Sequence, residues 1–339
     1  MTKSNILKII QSPENNTDST QVEYKFVEFN KYFTDEISIS DKIFRDTLDS
    51  KDLETVESRA KIITTNGGEN RSKILCYLTE KKTLDQIKTK VKLSEYACHN
   101  VAISKKNFVS GVIVLCKTSD DKFIIGSRDA SRAKDDPQDY FLQAPCGFME
   151  NYEIGNELAF DKLKDRSLSF KEFVIENGIK ELKEEILPFE DHEIYEKELI
   201  GGIFVVRQWP KKNLQDPDQS LTKNIANFKS FIVVTKVSLS FKEIQQLRQT
   251  SRQPKDFHEI TLIEGLSSKQ INEQSSERKP IEIAIDFDGK SRKFAAEHCL
   301  VLPIANYLCN QKENSPHSSL SVIEISSLET NKGSITKVR

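Results

Sequence analysis

Long apolar runs are missing from this sequence. None is long enough to span a bilayer, and the patch Ile6, Leu7, Ile9, Ile10 is too short for the apolar region of a signal peptide. Paired cysteines are missing too. Cys76, Cys98, Cys116, Cys146, Cys299 and Cys309 form no C-x-x-C pair. That excludes the usual paired-cysteine zinc and redox motifs, and the six read as reduced thiols that mainly pack, in a reducing compartment. An excess of either charge is also missing. Lys+Arg 50 and Asp+Glu 52 leave a formal net charge of -2, so nothing pulls the whole chain toward nucleic acid or an anionic membrane. No internal repeat is visible. The expectation is a soluble cytoplasmic protein with no membrane partner and no nucleic-acid partner.

What is present is a core-forming middle between polar ends. The 339 residues are 37% hydrophobic, enough for two domains or one domain with substantial additions. Residues 12–21 are polar. Residues 22–29 alternate apolar and polar and read as a strand. Residues 61–64 and 73–78 flank Gly67-Gly68 and read as a hairpin. Residues 83–96 read as a helix. Residues 1–104 thus form an N-terminal α+β region in which no chemistry is evident.

The pattern changes near Phe108. Residues 108–116 read as a buried strand, 118–121 as a turn and 123–126 as its return strand. Further strands are expected at 140–144, 200–206, 228–237 and 259–263. Helix-prone sequence runs from 156 to 187, and helices are expected at 241–248 and, broken by Pro303, at 292–309. Residues 311–339 are Ser/Asn/Lys-rich and expected to be disordered. Strands and helices mix without regular alternation, which favours an α+β fold with a mixed sheet.

One segment carries chemistry. On a helix, Glu181, Glu184 and Glu185 stand at i, i+3 and i+4, so three carboxylates share a face. Crowded carboxylates repel, and a hard divalent cation such as Mg²⁺ or Mn²⁺ relieves that repulsion. Phe173, Ile179, Leu182 and Ile186 recur at helical spacing and can pin the opposite side to a core. Pro188 is expected to end the helix. By itself such a Glu/Lys-rich helix is ordinarily a solvated face; its surroundings argue otherwise.

The run resembles the Nudix signature, G-x5-E-x7-R-E-U-x-E-E-x-G-U with U a bulky apolar residue. Glu172 takes the first glutamate, Lys180 stands at the arginine, and Glu181, Leu182, Glu184 and Glu185 follow in order. Gly147 resembles the leading glycine. The likeness covers about residues 105–275, within a domain expected over 105–310. Three departures stand out. Lysine replaces arginine at 180, Leu187 replaces the closing glycine, and residues 148–171 stretch the glycine-to-glutamate spacing, with an insertion near 153–171. An ungapped register would use Glu153, but residues 161–166 then fall on the metal positions and lose the pattern.

The resemblance implies a Nudix-type α/β/α sandwich with a mixed sheet, plus an N-terminal α+β extension. It implies Mg²⁺- or Mn²⁺-dependent hydrolysis of a phosphoanhydride in a nucleoside diphosphate linked to another moiety, such as a nucleotide-sugar. The alternative is a catalytically weak or inactive module that binds a nucleotide or protein partner in a regulatory role. Glu181, Glu184, Glu185 and the Gly147 carbonyl would hold the metal. Glu181 could instead act as base on the attacking water, oriented by Lys180. Arg128, Arg132 and Glu259 are candidate substrate-binding residues. Trp209 could stack on a base, although a rim or core tryptophan is commoner, and His192, His258 and His317 read as solvated.

Overall fold

The computed structural model describes residues 7–11, 20–65, 72–79, 87–104, 108–109, 111–128, 141–210, 227–255, 260–267, 270, 293–294, 323–326 and 334–337. In chain order the first strands are β1 (Leu7–Gln11), β2 (Thr20–Glu28), β3 (Phe33–Ile39), β4 (Ser72–Thr79), β5 (Ile87–Glu95) and β6 (Phe108–Val109). Next come β7 (Gly111–Lys117), β8 (Lys122–Arg128), β9 (Phe141–Gln143), β10 (Cys146–Phe148), β11 (Glu153–Ile154) and β12 (Glu157–Leu158). The last are β13 (Ile194–Pro210), β14 (Asn227–Val237), β15 (Ile260–Ser267), β16 (Lys293–Phe294), β17 (Ile323–Ser326) and β18 (Ser334–Lys337). The helices are α1 (Phe29–Tyr32), α2 (Ser50–Thr65), α3 (His99–Ser104), α4 (Ala159–Lys164), α5 (Phe170–Glu185) and α6 (Phe241–Thr250).

The fold is α+β with a mixed sheet. The large sheet runs β16-β9-β8-β7-β14-β13-β2-β1-β17-β18, with β10 added on β7 and β15 on β8. Its centre pairs β7 with β14 in parallel and β14 with β13 antiparallel. Every residue of β7 is buried, as expected of a central strand covered on both faces. A second sheet, β3-β5-β4-β6, carries most of the N-terminal region. That region also enters the large sheet, because β2 pairs antiparallel with β13. One core joins the two: Phe29, Phe33 and Val91 pack with Val112, Val114, Phe173, Ile179 and Phe231.

Several expectations need correction. Residues 61–64 are no hairpin strand; they are the last turns of α2. Val56, Ala60 and Ile63 recur at helical spacing and pack with Ala97, Cys98 and Val101, so burial selects helix there. Residues 87–95, expected helical, are strand β5. Thr89 and Val91 are buried while Lys88 and Lys90 are exposed, a period of two that suits a strand between β3 and β4. Of the helix expected over 292–309, Lys293–Phe294 is instead a strand on β9, and the rest lies outside the described residues. Within the tail expected to be disordered, β17 and β18 pair antiparallel, and β17 adds to β1.

The stretch read as an insertion is packed. β11 and β12 form a small hairpin, and α4 buries Ala159, Phe160 and Leu163. Asn151 Oδ1 accepts from the Phe160 N–H at 2.9 Å and anchors the start of α4. This segment returns the chain to Ser169, where α5 begins.

Candidate active site

Helix α5 starts on a capping box. Ser169 accepts from the Glu172 N–H, and the Glu172 carboxylate accepts from the Ser169 N–H at 2.9 Å. Phe170, Phe173, Val174, Ile179 and Leu182 are buried, and fully burying each such side chain stabilises by about 1.5–3 kcal/mol. Gly178 lets the helix lie close on the sheet: a Cβ there would stand 3.1 Å from Val114 and 3.3 Å from Val112 and Val233. The last helical residue is Glu185, with Pro188 following. The buried Arg248 of α6 donates to the carbonyls of Glu185 and Ile186, satisfying acceptors that a helix end leaves open. Burial draws this guanidinium's pKa down to about 10, against the pull of Glu185.

This seating sets the carboxylates of α5 against β10 and the residues after it. Gly147 lies directly against the Glu181 carboxyl group, which occupies the space a Cβ would need. Glu185 Oε2 accepts from the Cys146 N–H at 2.9 Å. Glu150 follows β10, and its N–H donates to Asn177 Oδ1 at 2.8 Å. Asn177 is buried and donates in turn to the Phe173 carbonyl at 3.0 Å. A fourth carboxylate, Glu150, thereby joins Glu181, Glu184 and Glu185.

Three lysines meet them. Lys180 Nζ stands 2.9 Å from Glu150, 2.7 Å from Glu184 and 3.9 Å from Glu181. Buried Lys73, from β4 of the smaller sheet, pairs with Glu150. Lys255 Nζ, beyond α6, stands 3.1 Å from Glu184.

The charges do not balance evenly. At Glu150 burial favours the neutral acid, but Lys73 and Lys180 outweigh it and hold the carboxyl below its usual range. At Glu184 the same contest goes to Lys180 and Lys255. Burial would lower the Lys180 pKa, yet Glu181, Glu184 and Glu150 raise it. Glu181 is different. Burial raises its carboxyl, Lys180 offsets only part of this, and Glu184 and Glu150 add to it, so its pKa is pushed up to about 7. A carboxyl that titrates near neutrality can take a proton from water, as a general base must. It also marks a place where another cation would be favourable.

The donors fit a hard divalent ion chemically, since carboxylates and a backbone carbonyl are all oxygen ligands. Among the described residues, however, no three acidic, imidazole or thiol side chains converge closely enough to hold a metal as they stand. Lys180 stands between Glu150 and Glu184 instead.

Of the candidates expected from sequence, the structure brings together Gly147, Lys180, Glu181, Glu184 and Glu185. Glu172 caps the helix start, about 13 Å along the axis from Glu181. Arg128 ends β8 opposite Ile260 of β15, but its side chain lies outside what is described. Arg132, Glu259, His258 and His317 lie outside the described residues, as does the Trp209 side chain. His192 is exposed. Sequence reasoning missed Glu150, Lys73, Lys255, Asn177 and Arg248. Only Glu150 carried a local signal, its nearness to Gly147. Among the described residues, no helix is long and apolar enough to cross a membrane. No known family model and no curated protein matches the chain.

Proposed function

We propose that the chain is a Nudix-type pyrophosphohydrolase that cleaves a phosphoanhydride in a nucleoside diphosphate linked to another moiety. The observation that carries this reading is the contact between Gly147 and Glu181. The signature places a glycine beside the glutamate helix; here residues 148–171 intervene, yet the two meet through space.

Glu184 and Glu185, with the Gly147 carbonyl, would hold Mg²⁺ or Mn²⁺ once their side chains draw together, with Glu181 either as a further ligand or as the base. Such an ion, when bound, neutralises diphosphate charge and lowers the pKa of bound water. The chain's own residues supply the rest. Glu181, packed against Gly147, would accept a proton at its carboxylate oxygen from the attacking water. Lys180 orients Glu184 and Glu150 by ion pairing. The Cys146 N–H fixes one oxygen of Glu185. Lys255, half exposed beside Glu184, offers a cation to an entering phosphate.

One observation favours a second reading, a module that binds its ligand without turnover. Lys180 Nζ, between Glu150 and Glu184, already supplies a positive charge to the cluster. A panel of nucleoside diphosphate derivatives with Mg²⁺ and Mn²⁺, run beside Glu184→Gln and Glu185→Gln, separates the two. The hydrolase reading expects metal-dependent turnover that both variants abolish. Ligand binding with no turnover by the folded wild type would leave only the binding module.

A further inference from the structure

We propose that Lys73, from the N-terminal region, is a positioning residue for the carboxylate site: by pairing with Glu150 it leaves the Lys180 ammonium to hold Glu184. This inference rests on the reading of α5 as a metal-binding helix and names a residue outside the Nudix-like segment on which that helix depends. Side chains of alternating charge form a row through the site. Glu150 Oε1 meets Lys73, and its Oε2 meets Lys180 at 2.9 Å. Glu184 Oε2 meets the same Lys180 at 2.7 Å, and its Oε1 meets Lys255 at 3.1 Å. Each carboxylate divides its oxygens between two lysines, and Lys180 is the cation that both carboxylates share.

The row is closed at one end and open at the other. Side-chain exposure is 10% at Lys73 and Glu150, 19% at Lys180, 17% at Glu184 and 55% at Lys255. The accessible end is that of Glu184 and Lys255, so Lys73 meets no ligand and acts only through Glu150. The backbone fixes this pair as well, because Lys73 and Glu150 form an antiparallel bridge between β4 and the residues after β10. The Glu150 N–H also donates to Asn177 Oδ1 on α5, so Glu150 is held from β4 and from α5 at once. The role of Lys73 follows from the competition for Lys180. With Lys73 in place, one oxygen of Glu150 is already matched, and Lys180 serves both Glu150 and Glu184. Without Lys73, Glu150 stays buried with its charge poorly matched, which is costly. It then draws Lys180 away from Glu184, and from Glu181 at 3.9 Å. Glu184 becomes freer to meet a cation but less well placed for chemistry.

The test uses the full chain, titrated with Mn²⁺ by calorimetry, with circular dichroism to establish that each variant folds. The variants carry opposite expectations. Lys73→Met should bind Mn²⁺ about three- to tenfold more tightly, because Glu184 is released and one positive charge is gone. Glu150→Gln should bind Mn²⁺ more weakly by a similar factor, since Lys180 then turns wholly to Glu184 and Glu181. Lys73→Met with Glu150→Gln removes both charges and should return the affinity to within about twofold of wild type. Turnover is the second readout: Lys73→Met should lose about tenfold in kcat although its metal site fills more readily. A merely structural role for Lys73 would lower affinity and turnover together. Loss of Mn²⁺ affinity in folded Lys73→Met, or an unchanged affinity in Glu150→Gln, overturns the role of Lys73 and leaves the hydrolase reading to its own turnover test. Failure of the folded wild type to bind Mn²⁺ overturns the metal-binding helix, and the role of Lys73 with it.

Discussion

The Glu181 carboxyl group fills the space that any side chain at position 147 would need. The overlapping atoms are the far end of a flexible side chain, which can swing away. Gly147→Ala should therefore displace Glu181 more than it disturbs the fold. We expect a thermal midpoint within a few degrees of wild type and turnover reduced by about a hundredfold or more. Circular dichroism melting and a steady-state assay check this. Unchanged turnover in the variant would show that Glu181 need not lie against position 147.

The raised pKa of Glu181 links stability to pH. Its carboxyl goes from the ordinary value 4.5 to about 7 on folding. Between those values the folded protein holds a proton that the unfolded chain has released. The stability from this group is fully present below about 4.5 and is lost as pH rises through about 7, on the order of 3 kcal/mol in all. Glu150 and Glu184 are held low, so their contributions are present above the ordinary carboxylate range and lost as pH falls through their depressed values. Glu181→Gln should remove the neutral-range decline and leave the acid-range loss. Denaturant unfolding across that range measures it; parallel wild-type and variant curves would rule out a raised Glu181 pKa.

Lys180 holds two carboxylates, and its removal should be felt first at rest. In Lys180→Met, Glu150 keeps Lys73 and Glu184 keeps Lys255. The expected loss is therefore near the lower end for a broken buried ion pair, about 3 kcal/mol. Added Mg²⁺ should recover more stability in the variant than in wild type, since it replaces the missing charge. Thermal melts with and without Mg²⁺ decide this, and equal Mg²⁺ effects in both proteins would refute it.

Glu172 gives a contrasting case. Although it aligns with a signature glutamate, its carboxylate bonds back to Ser169. Glu172→Ala should lower stability by about 1 kcal/mol, as loss of a cap does, and leave divalent-cation affinity unchanged. A tenfold loss of Mn²⁺ affinity in this variant would place Glu172 in the site after all.

Sequence alone determined the elements whose burial follows a local period. The apolar run of β7, the strands β13 and β14, and α6 were legible, as was the shared face of Glu181, Glu184 and Glu185. Their signals lie in neighbouring residues, where backbone geometry converts spacing directly into facing. Strand β5 was misread because short Lys-rich segments suit either state, and only pairing with β3 and β4 settles it. Tertiary structure alone decided the character of the site. Lys73 reaches it from β4, and Arg248 and Lys255 from α6 and the turn after it, with no local pattern to announce them; Glu150 was signalled only by its nearness to Gly147. The charge state of Glu181 depends on burial and on through-space neighbours, which exist only once the sheets and α5 have packed.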